Sequence, residues 1–126
     1  MDVDLLVHEA WPAWEQRALG DWVLRYAGGV TKRANSVLAL GEPDDLDAAV
    51  QEAEDFYAAR GVPCAFSVGA STPPALDRAL EARGYTLVDP TVVMCGSVTA
   101  DPVVPVRVEK QPWDGWLRTW WEVDGR

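Results

Sequence analysis

Between residues 46 and 57 the apolar positions Leu46, Ala49, Val50, Ala53, Phe56 and Tyr57 fall at helical spacing, with Gln51, Glu52, Glu54 and Asp55 among them. That period is the stripe of an amphipathic helix. Asp44 or Asp45 stands where an N-cap belongs, Gly61 where a C-terminal cap glycine belongs, and Pro63 follows. Ahead of this helix, the runs Asp21–Tyr26 and Ser36–Leu40 are rich in β-formers and flank the turn signal Ala27-Gly28-Gly29. They predict a hairpin with a wide loop. Its inward faces are expected to carry Trp22, Leu24 and Tyr26 on one strand and Leu38 and Leu40 on the other. The opening segment, Val3 to Trp14, reads as a short helix that Pro12 closes.

Downstream, Cys64–Val68 predicts a short strand. Ser71 and Thr72 precede Pro73, the arrangement of an N-cap followed by a first-turn proline. The helix after it packs through Leu76, Ala79 and Leu80 and stops at Gly84. Tyr85–Asp89 and Thr91–Val98 read as two further strands broken at Pro90, and Val106-Arg107-Val108 as one more. Pro112 opens a last helix lined by Trp113, Trp116, Leu117 and Trp120, with Trp121 alongside. The expected organisation is a domain over 1–100, a linker or strand over 101–111, and a tryptophan-rich helix over 112–126 that can open a second domain. This element order indicates an α/β chain, α+β in the stricter sense, with a mixed, mainly antiparallel sheet and flanking helices.

With 126 residues and 48% apolar side chains, the chain can bury a core without staples. Its net charge of −9 disfavours a phosphate backbone or an anionic membrane as partner. No apolar run approaches the ~20 residues that span a bilayer, and the acidic start Met1-Asp2-Val3-Asp4 is unlike a signal peptide. Cys64 and Cys95 have no metal-binding spacing, so reduced thiols in a cytoplasmic protein are expected.

The most polar part of the hairpin, Thr31-Lys32-Arg33-Ala34-Asn35-Ser36, gathers three positive charges together with Arg25. Arg33 has the geometry to grip a carboxylate, and Asn35 can bond ligand or backbone. Arg25, Lys32, Arg33, Asn35 and Ser36 are therefore a candidate ligand or domain-contact patch. The plainer alternative is a solvated hairpin end whose Asn and Ser close a turn. Trp113, Trp116, Leu117, Trp120 and Trp121 form a candidate interface. A helix this short is marginal alone, so the stripe packs on the body of the domain, on an absent second half or on a second copy. His8, beside Glu9, is a conceivable general base but reads more simply as a partly exposed helix residue. No histidine near Cys64 or Cys95 activates either thiol. Spacing singles out none of Glu15, Tyr26, Tyr57 and Tyr85 as acid or base, and no catalytic residue or metal site is assigned.

Several separated blocks carry a resemblance. They are Ala10-Trp11-Pro12-Ala13-Trp14-Glu15, Gly20-Asp21-Trp22-Val23-Leu24-Arg25 and Ala27 through Ser36, then Phe56-Tyr57, Arg60-Gly61, Phe66-Ser67-Val68, Leu76 to Leu80 and Arg83-Gly84-Tyr85. In this order, over roughly residues 10 to 98, the chain is similar to the N-terminal region of actinobacterial-type acetyltransferases of the GNAT (Gcn5-related N-acetyltransferase) superfamily. The resemblance implies a longer protein with two acetyltransferase-like halves. The second half holds acetyl-CoA, and the first is a degenerate, non-catalytic copy. The expected partner is that C-terminal half or a second copy of the chain, and the reaction is acetyl transfer to an amine. A small-molecule-binding or dimerisation module without transferase activity is the alternative.

The superfamily's cofactor signature, Arg/Gln-x-x-Gly-x-Gly/Ala, offers loop N–H groups and a helix N-terminus to the CoA pyrophosphate. At the matching place this chain reads Gly41-Glu42-Pro43-Asp44-Asp45-Leu46-Asp47. It has one glycine, a proline without a donor and four acids. A helix N-terminus stabilises an anion by roughly 0.3–1 kcal/mol. One like-charge pair at ~4 Å costs about 1 kcal/mol in water and about 4 at an effective dielectric near 20. The acids are expected to serve as helix caps, and no cofactor is expected in this chain.

Overall fold

The computed structural model describes residues 2–97 and 104–125. It falls into two compact units, Met1–Pro90 and Thr91–Arg126. The first contains α1 (Val3–Ala10), β1 (Glu15–Leu19), β2 (Trp22–Tyr26), β3 (Val37–Ala39), α2 (Leu46–Ala58), β4 (Phe66–Ser67) and α3 (Pro74–Ala82). The second contains α4 (Asp114–Asp124). No helix among the described residues is long and apolar enough to cross a membrane.

The fold is α+β with a mixed sheet of order β1-β2-β3-β4. β1 and β3 run antiparallel to β2, and β4 joins β3 in parallel after the α2 crossover. The sheet's core face presents Trp22, Leu24, Val37 and Ala39 to Val50, Ala53, Phe56 and Tyr57 of α2 and to Leu76 and Leu80 of α3. Trp22 meets Phe66 edge-on at 5.9 Å between centroids, and Phe66 meets Tyr85 likewise at 5.6 Å. The Trp22 Nε1–H donates to the Gly41 carbonyl at 2.7 Å, so this indole is buried without an orphan donor.

Several elements differ from the sequence reading. The first helix ends at Ala10 rather than Trp14, two residues before Pro12, as the conformational limits around proline favour. β1 was not expected, because Glu15-Gln16-Arg17-Ala18-Leu19 has neither β-branched residues nor an apolar alternation. It exists through its ladder, Glu15↔Tyr26 to Leu19↔Trp22. On β3 the inward residues are Val37 and Ala39, not Leu38 and Leu40, since cross-strand partners share a face and the register pairs Leu24 with Val37 and Trp22 with Ala39. Residues 85–89, 91–97 and 106–108 are irregular instead of strands; residue 98 lies outside the described residues. Among the described residues no neighbouring strand pairs with them, and a period-2 pattern without a partner leaves its backbone to water.

Charged side chains tie the periphery together. Arg60, just past the end of α2, reaches β1, donating to the Glu15 carboxylate through Nε at 3.1 Å and through Nη2, while its guanidinium lies 3.5 Å from the Phe56 ring centroid. Arg17 pairs with Glu52. Arg83 Nη1 and the Tyr85 hydroxyl each donate to Glu54 at 3.0 Å, joining the end of α3 to α2.

Candidate functional site

β2 and β3 stay paired only as far as Leu24↔Val37. Beyond that point Tyr57 of α2 takes the place of the ladder. Its hydroxyl accepts from the Arg25 N–H at 3.0 Å and donates to the Arg25 carbonyl at 2.8 Å. The Arg25 side chain meanwhile crosses to the other lip of the opening. Nε donates to the Ser36 carbonyl at 3.0 Å and Nη2 to Ser36 Oγ at 2.8 Å. Burial pushes the Tyr57 hydroxyl up to about 12 and holds the Arg25 guanidinium below its ordinary value. The loop that follows is stapled by Asn35. Its Oδ1 accepts from Ala27 N at 2.7 Å and Gly29 N at 2.8 Å, and its Nδ2 donates to the Thr31 carbonyl at 2.7 Å. Gly28 and Gly29 have positive φ, which suits residues without a Cβ. The Trp14 ring also leaves little room at Gly28, where a Cβ would meet it at 3.3 Å.

The five residues of the candidate patch thus divide. Arg25, Asn35 and Ser36 are buried and bonded to one another's strands and loop. Lys32 and Arg33 are exposed, Lys32 pairing with Asp89 and Arg33 lying 5.6 Å from the Trp11 ring centroid. The buried three hold the loop together through hydrogen bonds, and the two exposed cations are what it presents. Tyr57 was legible only as a core aromatic. Its role needs the β2–β3 opening, for which the sequence carries no separate signal.

At the N-terminus of α2, Asp45 Oδ1 accepts from Ala48 N at 3.0 Å. The helix end therefore caps itself. Glu42, Asp44 and Asp47 stand exposed around it, and the Gly41 carbonyl is engaged by Trp22. Asp45 thus takes a leading N–H donor of the helix, and the Asp47 carboxylate is met by Arg83 Nη2 at 3.5 Å.

Cys64 is half-buried, and burial pushes its thiol up to about 11, so it is no nucleophile at neutral pH. Cys95 is exposed. Among the described residues no group of His, Cys, Asp and Glu could hold a metal ion. In the second unit Trp113, Trp116, Leu117, Trp120 and Trp121 all remain substantially exposed, and the Trp120 and Trp121 ring centroids lie 6.1 Å apart.

A family model described as probable histone acetyltransferase Rv0428c C-terminal matches residues 4–123. A Bacillus subtilis (strain 168) protein named uncharacterized N-acetyltransferase YobR is 32% identical over 130 aligned positions, covering 98% of this chain. The chain spans about half, 52%, of that relative's length. No solved structure matches the chain.

Proposed function

The chain belongs to the acetyltransferase family described as probable histone acetyltransferase Rv0428c C-terminal, and on that premise we propose that it is the non-catalytic half of a GNAT-type N-acetyltransferase. The whole protein would move acetyl from acetyl-CoA to an amine, by attack of the neutral amine on the thioester. The observation that carries the reading is the α2 N-terminus, capped by Asp45 and ringed with acids where the superfamily keeps its pyrophosphate cradle. Acetyl-CoA then belongs to the other half, and this one supports it and walls the acceptor cleft. N-terminal placement of this half rests on the sequence resemblance alone, whereas the matching family is described by a C-terminal region. The excess of acids favours a cationic acceptor by electrostatic attraction, and a cytoplasmic setting suits two free thiols.

The test is an assay of free CoA release by the 126-residue chain with acetyl-CoA and a panel of primary amines. No release above the rate without protein is expected. Turnover by this chain would overturn the proposal. A second reading, a dimerisation module without transferase activity, draws on the exposed tryptophan face of α4. Concentration-independent monomer mass in sedimentation would end it.

A further inference from the structure

The second unit, Thr91–Arg126, is rich in apolar side chains, yet none of its described residues is buried. Its start, Thr91-Val92-Val93-Met94-Cys95, is a run of β-formers left irregular. Val92, Val93 and Met94 are 85%, 60% and 87% exposed. Its end is α4, where Trp116, Trp120 and Val123 recur on one face around a shallow groove open to solvent. Local contacts hold the stretch between. Arg107 pairs with Glu109 at 2.6 Å and lies 4.4 Å from the Trp113 ring centroid.

Neither end is stable on these terms. An isolated helix shorter than ~12–15 residues is marginal in water, and α4 has 11. A β-run without a ladder leaves its backbone groups as well as its side chains to solvent. Contiguous exposed apolar surface marks a place where something else packs. The partner that fits supplies a strand edge to residues 92–97 and an apolar surface to the tryptophans of α4.

Two observations select it. The family match runs through residue 123, so this unit is part of the sequence the family shares. The chain spans 52% of the Bacillus subtilis relative, so about half of that protein lies outside the matched part. A second copy of this chain suits the role less well, because it would bring one net charge of −9 against another. We propose that residues 91–124 are a core segment of the other half of a longer protein. Residues 92–97 join that half's sheet as a strand, and the tryptophan face of α4 packs against its apolar surface. The boundary between the two cores then falls at Pro90. This inference rests on the reading of the chain as one half of an acetyltransferase.

Amide hydrogen exchange tests it on two proteins, the 126-residue chain and the full-length product of the natural gene. In the 126-residue chain, residues 92–97 and α4 should exchange close to free-peptide rates while α2 stays protected. In the full-length protein the same amides should slow by about a hundredfold or more, as in core elements. Equally fast exchange of residues 92–97 in the full-length protein would overturn the proposal and leave the half-enzyme reading standing. Protection already present in the monomeric 126-residue chain would overturn it too, since the unit would then fold without a partner. Protection that grows with the concentration of the 126-residue chain would make a second copy the partner and equally overturn it. A natural product that ends with these 126 residues would sink the half-enzyme reading and this inference together.

Discussion

The hydroxyl of Tyr57 occupies both backbone hydrogen-bonding groups of Arg25, accepting from its N–H at 3.0 Å and donating to its carbonyl at 2.8 Å. A side chain on α2 thereby completes a β-ladder where β3 turns away, and the loop from Ala27 to Ser36 opens from a closed base.

Tyr57→Phe keeps the ring and orphans both groups. A buried unsatisfied backbone group costs about 1–3 kcal/mol, so chemical denaturation should show a loss in that range or somewhat more.

The same hydroxyl makes stability sensitive to alkali. The folded value, about 12, lies above the unfolded tyrosine value of about 10. The contribution is therefore complete below pH 10 and is lost as pH rises toward 12. Denaturation midpoints measured at pH 9 and 11 should fall more for the wild type than for Tyr57→Phe.

Asn35 and Lys32 sit three residues apart in one loop and should behave very differently. Asn35→Ala strands the N–H groups of Ala27 and Gly29 and the Thr31 carbonyl, at a cost of about 2 kcal/mol or more. Lys32→Ala removes an exposed ion pair with Asp89, worth about 0–1 kcal/mol. Thermal unfolding of the two variants checks the order. Equal losses would mean that Asn35 does not staple the loop.

The two thiols should label at separate rates. Cys64 is half-buried and its thiol is pushed up to about 11, whereas Cys95 is exposed. A thiolate-selective reagent at pH 8 should modify Cys95 quickly and Cys64 only after denaturation. Mass mapping of the modified peptides distinguishes them.

The α2 stripe and its Asp45 cap were legible in the sequence because each rests on a local rule, the 3.6-residue period and the side-chain reach of an N-cap. β1 was hidden, since its strand state comes from pairing with β2 and not from its own composition. The candidate site was half legible. Arg25 through Ser36 stood out as a polar cluster, yet polarity alone does not tell an exposed Lys32 from a buried Asn35. That distinction depends on Tyr57 and on loop carbonyls that the chain brings together only on folding. His8 was visible, and its unpartnered Nδ1 was not, because the burial of one ring nitrogen is set only once α1 is in place.

The central proposal is that this chain carries no acetyl-CoA site. Calorimetric titration of the 126-residue chain with acetyl-CoA, near neutral pH and at moderate salt, tests it most directly. The acid-ringed, self-capped start of α2 predicts no binding into the millimolar range. Micromolar binding would contradict the claim and make the chain an enzyme candidate in its own right.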